Sequence, residues 1–282
     1  MLRFSYNTIG CSNHTLTDAL ELISEAGYQG VTLTLDVHHM NPFEDDYERA
    51  AESLRGALEA ADLALVVDTG ARFLLDPRER LEPSLLSPSE EGRARRLDFI
   101  TRAIRICEIC SGEAVTFTAG RVKRNVGQAN AGAWLLDGLS RIAETAAGAG
   151  VAVALEPEPG HIVGTLDDFT LVRDAAKQMT DAPIDLAIDT GHTFIAGVRA
   201  PHQAVKEFAS ILRAVSIGDM TRSAPHHVPI GTGEVDVAAV LAALQAIDFG
   251  GLVSVKLPRD SHHADELIPA SIDRLLESLP SD

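Results

Sequence analysis

The sequence predicts one (β/α)₈ barrel, and three observations lead to that fold class. Eight short runs rich in β-branched residues alternate with longer segments whose apolar residues recur at helical spacing. This alternation predicts parallel βαβ units, and eight is the number of strands that closes such a sheet into a barrel. Because no low-complexity linker divides the 282 residues, we expect a single domain over 1–282.

The elements follow in order along the chain, each strand being a short apolar run and each helix an amphipathic segment. The predicted strands are 3–8, 30–35, 63–68, 114–118, 151–156, 184–189, 213–217 and 252–256. The predicted helices are 15–27, 48–61, 95–110, 130–150, 165–178, 201–213, 235–248 and 264–279. Gly27, Gly150 and Gly250 end or follow helical segments, as a left-handed C′ residue does.

An open doubly wound sheet is the competing fold. Its dinucleotide-binding version has little support, because the first strand is followed by N-T-I-G-C-S-N-H and not by G-x-G-x-x-G. The proline-rich stretch 76–92 reads as a long loop after the third strand, since the strand and helix cycle resumes after it.

The charge balance excludes two classes of partner. Lys and Arg total 24 against 41 Asp and Glu, a net charge of −17, so a nucleic-acid duplex or an anionic membrane would be repelled. The densest basic stretch, 93–105, reads as the solvated face of a helix. We find no secretory leader pattern and no run of about 18 apolar residues, so we predict a cytoplasmic protein that is compatible with a homodimer.

Two of the three cysteines, Cys107 and Cys110, have C-x-x-C spacing inside an amphipathic segment. A zinc or redox site would need more ligands or a different context, so helical packing is the favoured interpretation.

Polar residues at the strand ends are the candidate site, because the active site of such a barrel lies at the C-terminal ends of its strands. Glu156 and Asp189 end the fifth and sixth predicted strands, while Ser216 and Lys256 lie at the seventh and eighth. A stiff Pro-Glu-Pro-Gly loop follows Glu156 and holds a second carboxylate, Glu158, whose alternative role is a solvated rim residue.

His192 follows Asp189 by three residues, which suits a ligand, a proton shuttle or a substrate donor. The alternative is a helix start at which Asp189 or Thr190 is the N-cap. The polar loop 218–234 adds further candidates, of which Arg222 is suited to anchor a substrate. Its other candidates are Asp219, His226 and His227.

Other residues lie just beyond strand ends, at the level of the barrel mouth, but no specific sequence pattern marks them as lining it. They are His38, His39, His262, His263, Phe73 and Trp134. Exposed loop histidines and ordinary packing are the alternatives.

Several stretches together resemble the xylose isomerase-like barrel superfamily, the sugar-phosphate isomerase and epimerase group. They are GARFLLDP at 70–77, LEPEPG at 155–160, IDTGH at 188–192, the DMTR and HHVPIGTGEVD stretch, and SVKLPRDSHH at 254–263. The resemblance implies a divalent metal held by Glu, Asp, His and Glu on strands five to eight, with the two glutamates moving the proton in epimerases.

Carried over by position, the resemblance matches Glu156 and Asp189 to the first two ligands, and His192 and Arg222 to substrate-contacting residues. Ser216 stands in place of the histidine and Lys256 in place of the second glutamate. The histidines that tri-zinc endonucleases of this superfamily have on strands three and four are also missing, which disfavours DNA repair.

Three hypotheses follow. In the first, the Lys256 ammonium replaces the metal and stabilises an enolate formed when Glu156 removes a proton beside a sugar or cyclitol carbonyl. Lys256 with a pKa lowered by burial would instead be a base or a Schiff-base amine, and a buried ion pair without a catalytic role is the further alternative.

In the second hypothesis a divalent metal, Mn²⁺, Mg²⁺ or Zn²⁺, is the cofactor of an isomerase or dehydratase with rearranged ligands. Glu156 and Asp189 would be joined by some of Asp219, His192 and His227. The third is a non-catalytic barrel that binds a metabolite or a partner protein. In the enzymatic readings Glu156, Lys256 and Glu158 are the catalytic residues, and the predicted substrate contacts are His192, Arg222, His227 and Ser216.

Overall fold

The structure is a computed structural model that describes residues 1–70 and 72–280. Eight parallel strands form a closed barrel, and each predicted strand is confirmed to within one residue at either end. The barrel strands are β1 (Arg3–Asn7), β2 (Gly30–Thr34), β3 (Ala64–Asp68), β4 (Ala114–Phe117), β5 (Ala152–Leu155), β6 (Asp185–Asp189), β7 (Leu212–Ile217) and β10 (Leu252–Val255). An antiparallel hairpin, β8 (Asp219–Thr221) and β9 (Ala224–Val228), lies between the last two.

The barrel closes because β10 pairs with both β1 and β7, while the other strands pair in chain order. The register places Asp189 beside Ser216, and Ser216 beside Ser254. The C-terminal ends of β6, β7 and β10 therefore reach the same level, which is the level of the candidate site.

All eight predicted helical segments contain α-helix. The α-helices of the described residues are α1 (Leu16–Glu25), α2 (Tyr47–Ala61), α3 (Glu90–Ile109), α4 (Gln128–Ala149), α5 (Leu166–Ala176), α6 (Thr190–Ala196), α7 (Pro201–Glu207), α8 (Val237–Ala246) and α9 (Ala264–Glu277). The sequence offered α6 only as the alternative of a helix start at Asp189 or Thr190, and it did not predict the β8–β9 hairpin, because both elements are short and polar. Both elements contribute to the site.

The apolar core lies mainly between the helices and the outer face of the barrel. The barrel interior is different, because Ala154, Ala187 and Ala214 form a separate small cluster there. Small and polar side chains around that cluster, including Thr116 and Ser254, leave an inner cavity of about 10 Å³ that Lys256 also lines. Polar side chains therefore line part of the barrel interior near the mouth.

The cysteines support the helical interpretation of the C-x-x-C spacing. Cys107 lies in α3 and Cys110 follows its last residue, and both are buried and free. Burial raises the pKa of Cys107 to about 12 and that of Cys110 to about 11, so both remain thiols at neutral pH. In residues 1–70 and 72–280, no helix has both the length and the apolar character that crossing a membrane requires.

Candidate active site

A cavity of about 600 Å³ lies at the C-terminal ends of the barrel strands. Its lining includes six residues that the sequence pointed to for chemistry: Glu156, Glu158, His192, His226, His227 and Lys256. Asp189 lies directly behind them, with only 1% of its surface exposed. The structure thus brings residues from three strand ends, α6 and the hairpin into one cluster.

The centre of this cluster is Lys256, whose ammonium contacts both strand-end carboxylates. Its Nζ lies 3.3 and 3.4 Å from the two oxygens of Glu156 and 3.9 Å from Oδ2 of Asp189. The side chain of Glu156 is 6% exposed and that of Asp189 is fully buried. Because a buried carboxylate without a partner is costly, Lys256 compensates charge that the fold has removed from water.

The charges of this cluster hold one another ionised. Burial alone would lower the pKa of Lys256, but Glu156, Asp68 and Asp189 outweigh it and raise that pKa above its ordinary value. Burial would raise the pKa of Glu156, but Lys256 and His192 bring it below the usual range. The neighbouring carboxylates thus favour the ammonium form of Lys256 over the neutral amine that a base or Schiff-base role requires.

His192 is a second cation in contact with Glu156. Its Nδ1 lies 3.1 Å from Oε1 of Glu156, which is ion-pair distance. Burial would lower the pKa of His192, but Asp189 and Glu156 raise it to about 9, so its imidazole is charged at neutral pH. Glu156 therefore lies between two cations.

Asp189 combines the two roles that the sequence left open. Its Oδ1 accepts a hydrogen bond from the backbone N–H of His192 at 3.0 Å, which caps the N-terminus of α6. Its Oδ2 lies 2.8 Å from Nε2 of His227 on β9. Burial would raise the pKa of Asp189, but His192, His227 and Lys256 keep it far below its ordinary value.

His227 reaches Asp189 across the backbone of Gly218. A Cβ at residue 218 would lie 2.3 Å from Cδ2 of His227, far closer than such atoms approach each other. Gly218 is also held by Thr190, whose hydroxyl lies within hydrogen-bond distance of its N–H and its carbonyl. A glycine directly after β7 is thus the sequence signal for this contact.

Asp219 does not belong to the cluster, which corrects its assignment as a further metal ligand. Its carboxylate accepts hydrogen bonds from four backbone N–H groups at 2.9 to 3.0 Å and so fixes the loop after the hairpin. These donors are the N–H groups of Met220, Gly231, Gly233 and Val235. An aspartate with its oxygens occupied in this way has a structural role.

Two predicted substrate contacts lie outside the lining of the large cavity. Arg222 is exposed and stacks on the ring of Phe194, with 4.4 Å between the guanidinium carbon and the ring centroid. Ser216 faces the inner cavity, because side chains alternate along β7. Neither side chain lines the large cavity, and the substrate-contacting roles of Arg222 and Ser216 stay predictions.

The residues just beyond strand ends agree mostly with the alternatives of exposed loop histidines and ordinary packing. His39 is buried beside the carbonyl of His14, whereas Phe73 is half exposed and outside the cavity lining. The rings of His262 and His263 stack on each other, and Trp134 on α4 stacks against Arg93. His226 does line the cavity.

Sequence reasoning missed other residues of the cavity. Asp68 ends β3, lines both cavities, and accepts hydrogen bonds from Asn7 and Thr34. The sequence contains a pattern that indicates Asp68, because this carboxylate ends an apolar run as Asp189 does. Four arginines of the lining, Arg72, Arg80, Arg121 and Arg259, lie on loops and have no such pattern.

The residues at the family's four ligand positions do not fit a divalent metal. Only two carboxylates remain, Ser216 faces the inner cavity, and the ammonium of Lys256 lies within 4 Å of both carboxylates. A protonated amine has no lone pair to donate and repels a second cation. These four positions alone therefore do not supply the ligand set of a divalent metal, and the Lys256 ammonium places a positive charge beside both carboxylates.

A different donor set does lie close together. Asp189, His192 and His227 each bring one candidate ligand atom within 4.8 Å of the others. One carboxylate and two imidazoles are a set that Zn²⁺ accepts. The 2.8 Å contact between His227 and Asp189 is a direct hydrogen bond, however, and the ammonium of Lys256 lies near the same oxygen.

The sequence profile of the family described as "Xylose isomerase-like TIM barrel" matches residues 20–278. The chain therefore belongs to this family, as the strand-end pattern led us to expect. No curated protein matches it by sequence.

Solved structures show the same fold at low sequence identity. The chain is similar to 3-keto-D-glucoside 4-epimerase YcjR from E. coli, with a TM-score of 0.78, 17% identity, and coverage of 98% of this chain and 100% of the other. It is also similar to D-allulose 3-epimerase from Methylomonas sp. in complex with D-allulose, with a TM-score of 0.76, 17% identity, and coverage of 98% of this chain and 97% of the other. A third similar structure is the probable 3-DHS dehydratase AsbF from Bacillus anthracis, with a TM-score of 0.76, 15% identity, and coverage of 98% of this chain and 99% of the other.

Proposed function

We propose that this protein is an isomerase or epimerase that removes a proton beside the carbonyl of a small polyhydroxylated compound, with Lys256 in place of the divalent metal. The observation that carries the proposal is the position of the Lys256 ammonium, 3.3 Å from Glu156 and 3.9 Å from Asp189. A cation at that point supplies the positive charge that an enolate requires.

Glu156 is the proposed base. Its lowered pKa keeps it ionised at neutral pH, as a base must be, but also makes it a weak one. A weak base removes a carbon-bound proton only when the resulting oxyanion is strongly stabilised. Lys256 and the charged His192 both contact Glu156 and are the groups placed to do so.

Glu158 and His227 have supporting roles in this proposal. Glu158 lines the cavity, its Oε2 lies 3.5 Å from Nε2 of His161, and it is the proposed group that returns the proton. His227 also lines the cavity and orients Asp189. The fold shared with sugar epimerases and a dehydratase supports a reaction that begins with proton abstraction, which is a step common to isomerisation, epimerisation and dehydration.

Proton exchange tests this function without knowledge of the final product. The full chain, treated with chelator, is incubated in D₂O with a panel of keto-sugars and cyclitols, and loss of the signal of the proton beside the carbonyl is followed by NMR. We expect exchange with at least one compound, and a loss of about 10²-fold or more in Glu156→Gln. Tight binding with no exchange across the panel would favour a non-catalytic barrel.

The cluster of Asp189, His192 and His227 favours one second candidate, a metal-dependent isomerase or dehydratase with rearranged ligands. When bound, Zn²⁺ would polarise the substrate carbonyl as a Lewis acid. Exchange activity that chelator abolishes and Zn²⁺ restores would favour this candidate over the first.

A further inference from the structure

Four arginine side chains line the same cavity as Glu156 and Lys256. Arg72 and Arg80 lie on the loop after β3, Arg121 on the loop after β4, and Arg259 on the loop after β10. They come from three separate loops that contribute to the lining of one cavity. Such a concentration of positive charge is unexpected in a chain with a net charge of −17.

These arginines have no salt bridge to a carboxylate among residues 1–70 and 72–280. Arginines elsewhere are often paired: Arg105 contacts Glu48 and Glu108. Arg72 instead donates from both terminal nitrogens to the carbonyl of Pro258, at 3.1 Å each. That contact fixes the guanidinium and leaves other N–H donors available.

The cationic charges are also close enough to disfavour one another. Burial first, and then the positive charge of Arg80, lowers the pKa of Arg72 although Asp36 and Asp68 act to raise it, so the Arg72 and Arg80 guanidinium groups repel each other. An anion between them would relieve that repulsion and accept charge-assisted hydrogen bonds. A neutral sugar would leave the repulsion in place.

The proposed base and the arginines come from different elements of the same cavity lining. The carboxylates come from β5 and β6, whereas the arginines come from loops after β3, β4 and β10. A cavity of about 600 Å³ is within the usual range for a small-molecule site. It has room for a sugar-sized compound with a charged substituent.

We propose that the substrate carries an anionic group, a phosphate or a carboxylate, which Arg72, Arg80, Arg121 and Arg259 bind while its carbonyl end contacts Glu156 and Lys256. This inference rests on the proposed function and adds the chemical class of the substrate. Arginine suits both anions because its planar guanidinium offers paired donors to oxygen atoms.

Calorimetric titration of the full chain tests this inference with three probes: D-fructose, D-fructose 6-phosphate and D-glucuronate. We expect the phosphate or the carboxylate probe to bind at least about tenfold more tightly than D-fructose, and more weakly as salt rises. The probe that binds best identifies the anion. Binding of neither anion, or equal binding of D-fructose, would overturn the proposal.

A matched pair of variants locates the binding. Arg80→Ala with Arg121→Ala removes two exposed arginines of the cavity, whereas Arg78→Ala with Arg124→Ala removes the same charge from the same two loops outside it. We expect the first pair to weaken anion binding about tenfold or more and the second to change it less than about twofold. Equal effects of the two pairs would contradict the site.

The outcomes separate this inference from the proposed function. Anion binding that depends on Arg80 and Arg121, without proton exchange on any compound, supports the anion site and contradicts the enzyme. Proton exchange on neutral ketoses, without preference for an anion, supports the enzyme and contradicts the anion site.

Discussion

Two regions of the cavity differ in whether their charged side chains have oppositely charged partners. The carboxylate wall, made of Glu156, Asp189, His192, His227 and Lys256, is buried, and each of its charges has an opposite charge in contact. The arginine wall, made of Arg72, Arg80, Arg121 and Arg259, is more exposed, and the described residues offer it no carboxylate at salt-bridge distance.

The difference follows from solvation. A buried charge must be compensated within the protein because water does not reach it, whereas a guanidinium near solvent remains hydrated until a ligand binds. We therefore expect substitutions in the carboxylate wall to change stability, and substitutions in the arginine wall to change binding.

The largest effect is expected at Lys256. Lys256→Met leaves Glu156 and Asp189 buried without their common cation, so the free energy of unfolding should fall by about 3–5 kcal/mol. Urea unfolding followed by circular dichroism measures this loss.

A double-mutant cycle provides the control for that substitution. Adding Glu156→Gln to Lys256→Met removes one of the uncompensated charges, so the double variant should be more stable than the sum of the single changes predicts. Strict additivity would show that the ammonium and the carboxylate do not interact.

A somewhat smaller effect is expected at Gly218. Gly218→Ala forces His227 away from Asp189, because the new Cβ would lie 2.3 Å from the imidazole, and such overpacking costs about 1–3 kcal/mol. Gly56→Ala is the matched control, since Gly56 lies in α2 with open space around its Cβ position, and it should leave the protein as stable or more so. Thermal unfolding compares the two variants, and an unchanged midpoint in Gly218→Ala would contradict the tight contact.

The charge on His192 should make stability depend on pH. Because its pKa rises to about 9 on folding, its stabilising effect is present in full below its unfolded pKa of about 6.5 and is lost as the pH rises through 9. We expect stability to fall over that range in the unaltered protein, and the fall to be reduced in His192→Gln. Identical pH profiles would assign the dependence to other groups.

The smallest effect on stability is expected in the arginine wall. Arg80→Ala with Arg121→Ala removes exposed side chains without salt bridges in the described structure, so the free energy of unfolding should change by no more than about 0.5 kcal/mol. A loss like that in Lys256→Met would show that both walls have the same structural role.

The two walls also differ in how far the sequence predicted them. Glu156 and Asp189 were found because each ends an apolar run, and the position of Lys256 followed from the same strand pattern. Asp68 had the same signal and was overlooked. No sequence pattern predicts the arginine wall. Loop residues have no periodicity, and whether they line one cavity depends on how three loops fold.

The unpredicted elements show a second limit. The helix α6 is one short segment that starts at Thr-Gly-His, and its stability comes from the Asp189 cap and tertiary contacts more than from helix propensity. The hairpin that carries His227 arises from a polar stretch read as a loop, and the four hydrogen bonds to Asp219 that fix the adjoining loop have no sequence pattern.

In the proposed function the Lys256 ammonium takes the place of the metal of the family site. Elemental analysis by mass spectrometry of the unaltered chain, and of the variant with Ser216→His and Lys256→Glu, tests it directly after exposure to Mn²⁺, Mg²⁺ and Zn²⁺ and removal of unbound metal. We expect no stoichiometric metal in the unaltered chain and about one ion per chain in the variant, which restores four ligands. One tightly bound ion per unaltered chain would contradict the claim.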